Sequence, residues 1–167
     1  MSRRSSQTPA PLTAEEEAAW RALARAVLVI PRLLDADMFE SQGLSITEYN
    51  VLMNLSEAPK RSLRMSELAN YVAITDSGLT RVLDRLSRRG LVERVRAQED
   101  GRGQIAVLTR TGLTRLKQAW PSHLATVRHH IMDHLQELDL VALADALTKV
   151  ASAQLGPPLR RGTPTAR

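Results

Sequence analysis

Seven arginines stand within one stretch of the chain, ITDSGLTRVLDRLSRRGLVERVRAQEDGRGQIAVLT (74–109), and leucines and valines recur between them. A guanidinium group is permanently charged and matches the geometry of phosphate oxygens and of guanine edges. The chemistry that this stretch offers is therefore the binding of a polyanion. A structure that uses it must hold the arginines on one side and bury the aliphatic residues on the other.

The composition of the whole chain agrees with this interpretation without proving it. Lys and Arg outnumber Asp and Glu by 23 to 18 in 167 residues, which gives a formal charge of +5 and a sequence pI near 10.4. Ordinary solubility charge is the alternative explanation. Hydrophobic residues make up 43% and aromatic residues 3%, so we expect one aliphatic, mainly helical core.

Several classes of protein are disfavoured by what the sequence lacks. The chain has no cysteine, which excludes disulfides and thiolate metal sites. It has no apolar run of about 18 residues, and MSRRSSQTPAPL (1–12) shows no apolar segment of a signal peptide, so we expect a cytoplasmic protein away from membranes. No nucleophile elbow, phosphate-binding glycine loop or metalloprotease motif is present, so we predict neither an enzyme nor a cofactor.

Helix signals precede the arginine-rich stretch. Thr13 is a plausible N-cap for a helix that Pro31 should kink or divide. A capping box, Ser45-x-x-Glu48, opens the next helix. RMSELANYV (64–72), with Ser66 as the expected N-cap, has the length of the first helix of a helix-turn-helix.

The arginine-rich stretch itself predicts a helix and a hairpin. Leu79, Val82, Leu83 and Leu86 form one apolar stripe between Asp76 and Arg89, and Gly90 suits the position after a helix end. LVERVR and QIAVLT then read as two strands of an antiparallel hairpin around AQEDGRG.

The C-terminal part predicts a long helix followed by a last one. Apolar residues recur at steps of three and four from Leu113 to Leu138, with a kink expected at Pro121, and LVALADALTKVASAQL is the last predicted helix. Long terminal helices carry more apolar surface than a small central domain covers, so we expect a homodimer. Its predicted interface residues are Leu23, Val27, Leu116, Trp120, Leu124, Val127, Ile131 and Leu135.

These elements together predict a mainly α fold with a small β-hairpin wing, a winged helix-turn-helix flanked by dimerisation helices. The predicted divisions are a disordered tail (1–12), an N-terminal dimerisation helix (13–43), the winged helix-turn-helix (44–110), C-terminal dimerisation helices (111–155) and a second disordered tail (156–167).

In a winged helix-turn-helix the second helix of the pair enters the DNA major groove. We expect Ser77, Thr80 and Arg81 to face base edges, and Arg85 and Arg88 to meet phosphates. The other residues predicted to contact DNA from this reasoning are Arg64, Ser66 and Arg94. The alternative is a solvated amphipathic helix whose arginines only keep it soluble.

The ordered series LSITEYNVL, RMSELANYV, TDSGLTRVLDRLSRRGLVER and EDGRGQIAVLTRTG resembles the multiple antibiotic resistance regulator (MarR) family of transcription factors, over about residues 14 to 153. The resemblance implies a triangular obligate homodimer that binds double-stranded DNA at a pseudo-palindromic operator. It also implies that Arg102 enters the minor groove and that Asp100 orients it. The family often has serine where this chain has Gly103, so a phosphate contact from that position is not expected.

The resemblance further implies a repressor that responds to a small, often aromatic effector bound between the dimer helices and the winged domain. Candidate lining residues are Trp20, Met38, Phe39, Tyr49, Met53 and His123, for each of which ordinary core packing is the alternative.

Two other functions stay open on the sequence. His123, His130 and His134 follow at steps of seven and four, which would place them on one helical face and suggest a zinc-responsive regulator, although satisfied interface histidines are the more common case. A winged-helix protein-interaction module without DNA binding is the other alternative.

Overall fold

Six α-helices and one three-stranded antiparallel sheet form the part of the chain that the computed structural model describes, residues 10–96 and 103–155. The predicted mainly α fold with a small β wing is confirmed. The elements in chain order are α1 (Ala14–Gln42), α2 (Ile46–Glu57), β1 (Ser62–Arg64), α3 (Met65–Val72), α4 (Asp76–Arg88), β2 (Val92–Arg96), β3 (Gln104–Leu108), α5 (Arg110–His130) and α6 (Leu140–Leu155).

The first two helices begin where the sequence signals place them. The Thr13 hydroxyl accepts from the Glu16 N–H at 3.2 Å, and the Glu16 carboxylate accepts from the Thr13 N–H at 2.8 Å. Ser45 and Glu48 make the same reciprocal pair at the start of α2. The expected division at Pro31 is wrong, because α1 continues through it as one helix of 29 residues.

Two other boundaries differ from the sequence prediction. Arg64, not Ser66, is the N-cap of α3, and its N–H donates to the Glu67 carboxylate at 3.1 Å. The long C-terminal helix ends at His130, because Ile131 leaves the helical conformation and residues 132–134 form a separate 3₁₀ turn. Among the described residues, no helix is long and apolar enough to cross a lipid bilayer.

The sheet has the order β1-β3-β2, with both pairings antiparallel. The β2–β3 hairpin was predicted, and its register places Val92 opposite Leu108 and Arg96 opposite Gln104. The three-residue strand β1 was not predicted. It pairs Leu63 with Ala106 and so joins the start of α3 to the wing.

The apolar stripe of α4 fills the centre of the winged domain. Leu79, Val82, Leu83 and Leu86 are all buried, as the sequence predicted, and they belong to one continuous core with residues of α2 and α3. Fully burying an aliphatic side chain of this size is worth roughly 1.5–3 kcal/mol. The stripe therefore fixes which face of α4 is left for solvent.

The end of α4 is shaped by Gly90, which has a φ of +67°. Its N–H donates to the Ser87 carbonyl, and the Leu91 N–H donates to the Leu86 carbonyl, each at 2.9 Å. This pair of hydrogen bonds is a Schellman motif, and it turns the chain from α4 toward β2, the first strand of the wing.

The sequence Leu-Thr-x-x-Gly after the wing joins β3 to α5 through two contacts. The Thr109 hydroxyl accepts from the Gly112 N–H at 2.9 Å and lies 2.8 Å from the Gly90 carbonyl oxygen. Gly112 packs so closely that a Cβ there would lie 2.1 Å from the carbonyl oxygen of Leu91. The base of the wing thus rests directly on the first turn of α5.

We predict that Gly112→Ala destabilises the protein by about 1–3 kcal/mol, since the added methyl group overlaps backbone that cannot move freely. The sign is diagnostic, because glycine to alanine within a helix otherwise stabilises by roughly 0.5–1 kcal/mol. Urea unfolding measures the difference, with Thr111→Ala in the same turn as a control expected within about 0.5 kcal/mol of wild type. A Gly112→Ala protein more stable than wild type would contradict this packing.

Candidate nucleic-acid interface

The outward face of α4 carries the polar side chains that the sequence predicted there. Ser77, Thr80, Arg81, Arg85 and Arg88 are all exposed. Thr75 caps the helix by accepting from the Gly78 N–H at 3.2 Å, which places Ser77 in the first turn. The residues proposed for base contacts therefore occupy the N-terminal half of a helix whose other face is buried.

An open cleft of about 350 Å³ lies beside this N-terminal half, where α3, α4 and β3 meet. It brings together three of the predicted DNA-contacting residues, Arg64, Ser66 and Thr80. Gln104 and Gly103 of the wing also line it. Gln104 was missed by the sequence reasoning, because only the pairing of β3 with β1 shows that the start of β3 adjoins α3.

Two predicted DNA-contacting arginines also make contacts inside the protein. The Nε atom of Arg85 donates to a carboxylate oxygen of Glu48 in α2 at 2.9 Å, and its side chain is about half exposed. The Nε atom of Arg88 donates to the Asp84 carbonyl at 3.2 Å within α4. Both side chains remain accessible from solvent, so these contacts orient them without hiding them.

Arg94 makes contacts inside the protein that the sequence did not predict. The register pairs it with Ala106, a fully buried residue, on the face of the sheet that packs against α4. Its guanidinium donates to the Thr80 carbonyl at 2.9 Å and to the Asp84 carboxylate at 2.5 Å. Arg94 therefore joins the wing to α4, and its contact with DNA stays a prediction.

The tip of the wing lies outside the described residues, and with it Asp100 and Arg102. The described strands lead up to it from both sides, β2 ending at Arg96 and β3 beginning at Gln104, its direct partner.

The candidate effector-binding residues fall into two groups. Met38 and Tyr49 are fully buried and Met53 packs against the core, whereas Trp20 and Phe39 are 59% and 65% exposed. The Tyr49 ring of α2 lies against the His123 ring of α5, with centroids 4.2 Å apart, and Trp120 lies 6.1 Å from His123. Of the candidate effector-binding residues, Tyr49 and His123 are therefore in contact, and Trp120, which was not a candidate, lies beside them.

Tyr49 and His123 are also polar groups in an apolar setting. Within the described residues, neither the Tyr49 hydroxyl nor His123 Nδ1 has a hydrogen-bond partner, and both atoms are buried. Burial raises the pKa of the Tyr49 phenol above its usual range, and the Glu57 carboxylate adds to the shift. Burial lowers the pKa of the His123 imidazole. Both groups are therefore uncharged near neutral pH.

The three histidines of the zinc hypothesis are not brought together. α5 ends at His130, so His134 does not continue its face, and the prediction of one shared helical face is wrong. His130 Nε2 instead lies 2.9 Å from a carboxylate oxygen of Asp37 in α1. Among the described side chains, no three His, Asp or Glu residues are placed to hold a metal ion.

The residues predicted for the dimer interface divide into exposed and buried ones. Leu23, Val27, Trp120 and Leu124 are exposed on α1 and α5, with Val27 at 62%. Leu116 is only 8% exposed and belongs to the core of the protomer, so this residue does not face outward. Val127, Ile131 and Leu135 are partly buried, the last two beyond the end of α5.

A helix-turn-helix with an exposed arginine-bearing second helix, followed by a hairpin that packs against it, defines a winged-helix DNA-binding protein. Residues 42–103 match the sequence pattern of the MarR family. The transcriptional repressor YetL of Bacillus subtilis is 31% identical over 116 residues, which cover 68% of this chain and 70% of YetL. The chain belongs to the MarR family of transcriptional regulators, and the prediction that it is not an enzyme is confirmed.

Solved structures give the same result for the fold. Sco3205, a MarR family regulator from Streptomyces coelicolor crystallised in complex with DNA, is 35% identical with a TM-score of 0.80, over 89% of this chain and 92% of Sco3205. AbsC, another MarR family regulator from that organism, is 34% identical with a TM-score of 0.76, over 87% of this chain and 97% of AbsC.

The burial of His123 predicts a pH dependence of stability. Its pKa is lowered from 6.5 in the folded protein, so the unfolded chain binds a proton at a higher pH than the folded chain does. Neutral His123 therefore contributes its full stabilisation of the fold above pH 6.5, the pKa of the unfolded chain. This stabilisation is lost as the pH falls below 6.5 toward the lower pKa of the folded protein. When the pH is lowered from 7.5 to 5.5, we expect the urea midpoint of unfolding to decrease more in the wild-type protein than in His123→Phe.

His123→Phe keeps a ring against Tyr49 while removing the titrating group. The matched control is His134→Phe, an exposed position that should keep the wild-type pH dependence. If His123→Phe and wild type lost stability equally over this range, the lowered pKa of His123 would be contradicted.

Proposed function

We propose that the chain is a homodimeric, sequence-specific transcriptional repressor that binds a pseudo-palindromic operator in double-stranded DNA in the cytoplasm. The observation that carries the proposal is the outward face of α4, where Ser77, Thr80 and Arg81 stand exposed beside a cleft opened by α3 and the wing. Residues near the N-terminus of a recognition helix approach base edges most closely. Sco3205, with the same fold, was crystallised with DNA.

In this proposal the contacts divide between bases and backbone. Arg81 reads base edges in the major groove, with Ser77 and Thr80 beside it. Arg64, Ser66, Arg85 and Arg88 meet phosphates around the cleft and along α4, which positions the protein without reading sequence. Arg102, oriented by Asp100, enters the minor groove, where the negative potential of narrow A·T-rich segments attracts arginine.

The dimer follows from the apolar surface that the protomer leaves uncovered. Large hydrophobic residues exposed on α1, α5 and α6 include Val27, Leu28, Trp120, Val141 and Val150. A concentration of large exposed apolar side chains on the terminal helices supports an association site there. We propose residues 13–43 and 111–155 as the dimerisation elements and 44–110 as the DNA-binding domain. Two-fold symmetry then requires operator half-sites about one helical turn apart, roughly 10 bp.

We also propose that a small aromatic effector with a polar group binds at Tyr49, Trp120 and His123 and releases the operator. The unpartnered Tyr49 hydroxyl and His123 Nδ1 offer it hydrogen bonds in an otherwise apolar place. Tryptophan fluorescence, to which Trp120 contributes, reports binding of a probe such as 4-hydroxybenzoate and related phenolic acids. Unchanged fluorescence and unchanged operator affinity across a panel of such acids would contradict this part of the proposal.

Arg81→Ala and Arg102→Ala should each bind a duplex selected from a random-sequence library by the wild-type protein at least tenfold more weakly, since one lost base or groove contact is worth ~1–3 kcal/mol. Both should remain folded dimers by circular dichroism and light scattering. Lys117→Ala on α5 removes the same charge outside the proposed interface and should bind within about twofold of wild type. Unchanged affinity in both arginine variants would contradict the docking. Equal affinity of the wild-type protein for the selected duplex and for unrelated DNA would indicate a basic protein without sequence specificity.

Val27→Asp should produce a folded monomer, because the charge would lie in the dimer interface while the protomer core is untouched. Size-exclusion chromatography with light scattering measures the mass, and circular dichroism measures the helix content. Arg25→Asp places the same side chain at an exposed, polar position of α1 and should stay a dimer. A dimeric Val27→Asp protein would show that the exposed face of α1 is not the interface.

A further inference from the structure

The end of α1 and the start of α2 form a corner, residues 42–48, that is held by arginines from two other helices. Gln42 and Gly43 end α1, and no basic residue of α1 itself lies in its last turn. The carbonyl ends of a helix carry partial negative charge and need donors. Here the donors come from α4 and α5.

From α5, the guanidinium of Arg115 donates to both the side-chain and the backbone oxygens of Gln42. The Gln42 amide donates in turn to the Ser122 hydroxyl at 2.7 Å. From the end of α4, its C-cap residue Arg89 donates to the Gly43 carbonyl at 3.2 Å. Burial, and then the positive charge of Arg89, lower the pKa of Arg115, which agrees with two guanidinium groups converging on one helix end.

Glu48 is the negative charge at the centre of the corner. The residue is only 5% exposed. One carboxylate oxygen accepts from Arg85 Nε at 2.9 Å, and the other accepts from the Ser45 N–H at 3.1 Å and lies 3.7 Å from Arg89. The Glu48 carboxylate that completes the capping box of α2 therefore also holds Arg85 of α4 and Arg89, the C-cap residue of α4.

We propose that Glu48 is a positioning residue for operator recognition: through Arg85 and Arg89 it fixes the angle of α4 to the corner and hence to the dimer helices α1 and α5. This inference rests on the proposed DNA docking of α4. The aliphatic stripe of α4 fixes which face of the helix is buried, but apolar contacts are non-directional and leave small changes in the tilt of the helix possible. The ion pairs supply the directional contact.

The geometry makes operator affinity sensitive to this contact. From Arg85 to Ser77 along α4 is roughly 12 Å at 1.5 Å per residue, so a tilt of about 10° at the Glu48 end moves Ser77 by about 2 Å. A displacement of that size breaks a hydrogen bond to a base edge. Phosphate contacts made by long side chains tolerate it. Loss of the Glu48 charge should therefore weaken specific binding and spare binding to unrelated DNA.

Glu48→Gln tests this, because glutamine also serves in a capping box and keeps the size of the side chain while removing the charge. The matched control is Glu40→Gln, an exposed carboxylate of α1 that gives the same gain of one positive charge. That gain alone favours binding to DNA. Simple electrostatics thus predicts tighter binding by both variants, whereas the positioning role predicts opposite effects.

The measurement is fluorescence anisotropy with the duplex selected by the wild-type protein and with a scrambled duplex of the same composition, at a temperature where circular dichroism shows every variant folded. We expect Glu48→Gln to bind the selected duplex about tenfold more weakly than wild type. Glu48→Gln should bind the scrambled duplex at least as well as wild type does, and Glu40→Gln should bind both duplexes at least as well as wild type. A purely structural role for Glu48 would lower the urea midpoint and leave the ratio of the two affinities unchanged.

Glu48→Gln and Glu40→Gln binding the selected duplex within twofold of each other would overturn the proposal. If Glu48→Gln does not fold, Glu48→Asp replaces it: the charge is kept but the carboxylate no longer reaches Arg85, so the same selective loss is expected, and wild-type affinity would overturn the proposal. Failure of the wild-type protein to prefer the selected duplex is a separate result, which would contradict the DNA-binding function itself.

Discussion

The structure depends on the two-sided nature of α4. Leu79, Val82, Leu83 and Leu86 are buried on one side, and this burial leaves Arg81, Arg85 and Arg88 on the other. An arginine face without that anchor would be an ordinary solvated helix surface. With it, the positive groups occupy fixed positions on a rigid element, as recognition of base edges requires.

The neighbouring elements each restrict one freedom of this helix. Arg94 ties the wing to the Thr80 carbonyl and Asp84, and Glu48 ties the C-terminal half to α2. Through Thr109 and Gly112, the base of the wing packs against the first turn of α5. The helix α4, the wing, α1 and α5 are thereby connected by short polar contacts around an aliphatic core. In the proposed dimer, an effector must change the spacing of the two copies of α4 to shift binding, and these connections are the route by which we propose that it does so.

Local signals were enough to predict most of the fold. The N-cap at Thr13, the capping box at Ser45, the stripe of α4 and the hairpin all depend on residues within a few positions of each other, and the structure confirms them. The missed features depend on distant partners. β1 has three residues and exists because it pairs with β3, and the Glu48–Arg85 contact joins residues 37 apart. The charge of Arg94 is visible in the sequence, whereas its contacts with Thr80 and Asp84 across the sheet are not. Likewise, the heptad-like pattern after Leu113 continues past Ile131, where the backbone leaves the helix.

The central claim is that this arrangement reads a DNA sequence and is not only attracted to its charge. The direct test is an anisotropy competition between a duplex selected by the wild-type protein from a random library and a scrambled duplex of the same composition, at 50 and 200 mM salt. We expect an enriched pseudo-palindrome with half-sites about 10 bp apart. We also expect a preference of at least about 10³-fold over the scrambled duplex and a loss of affinity on the order of 10³-fold across the salt range. Equal competition by the scrambled duplex, or no enriched sequence, would contradict it.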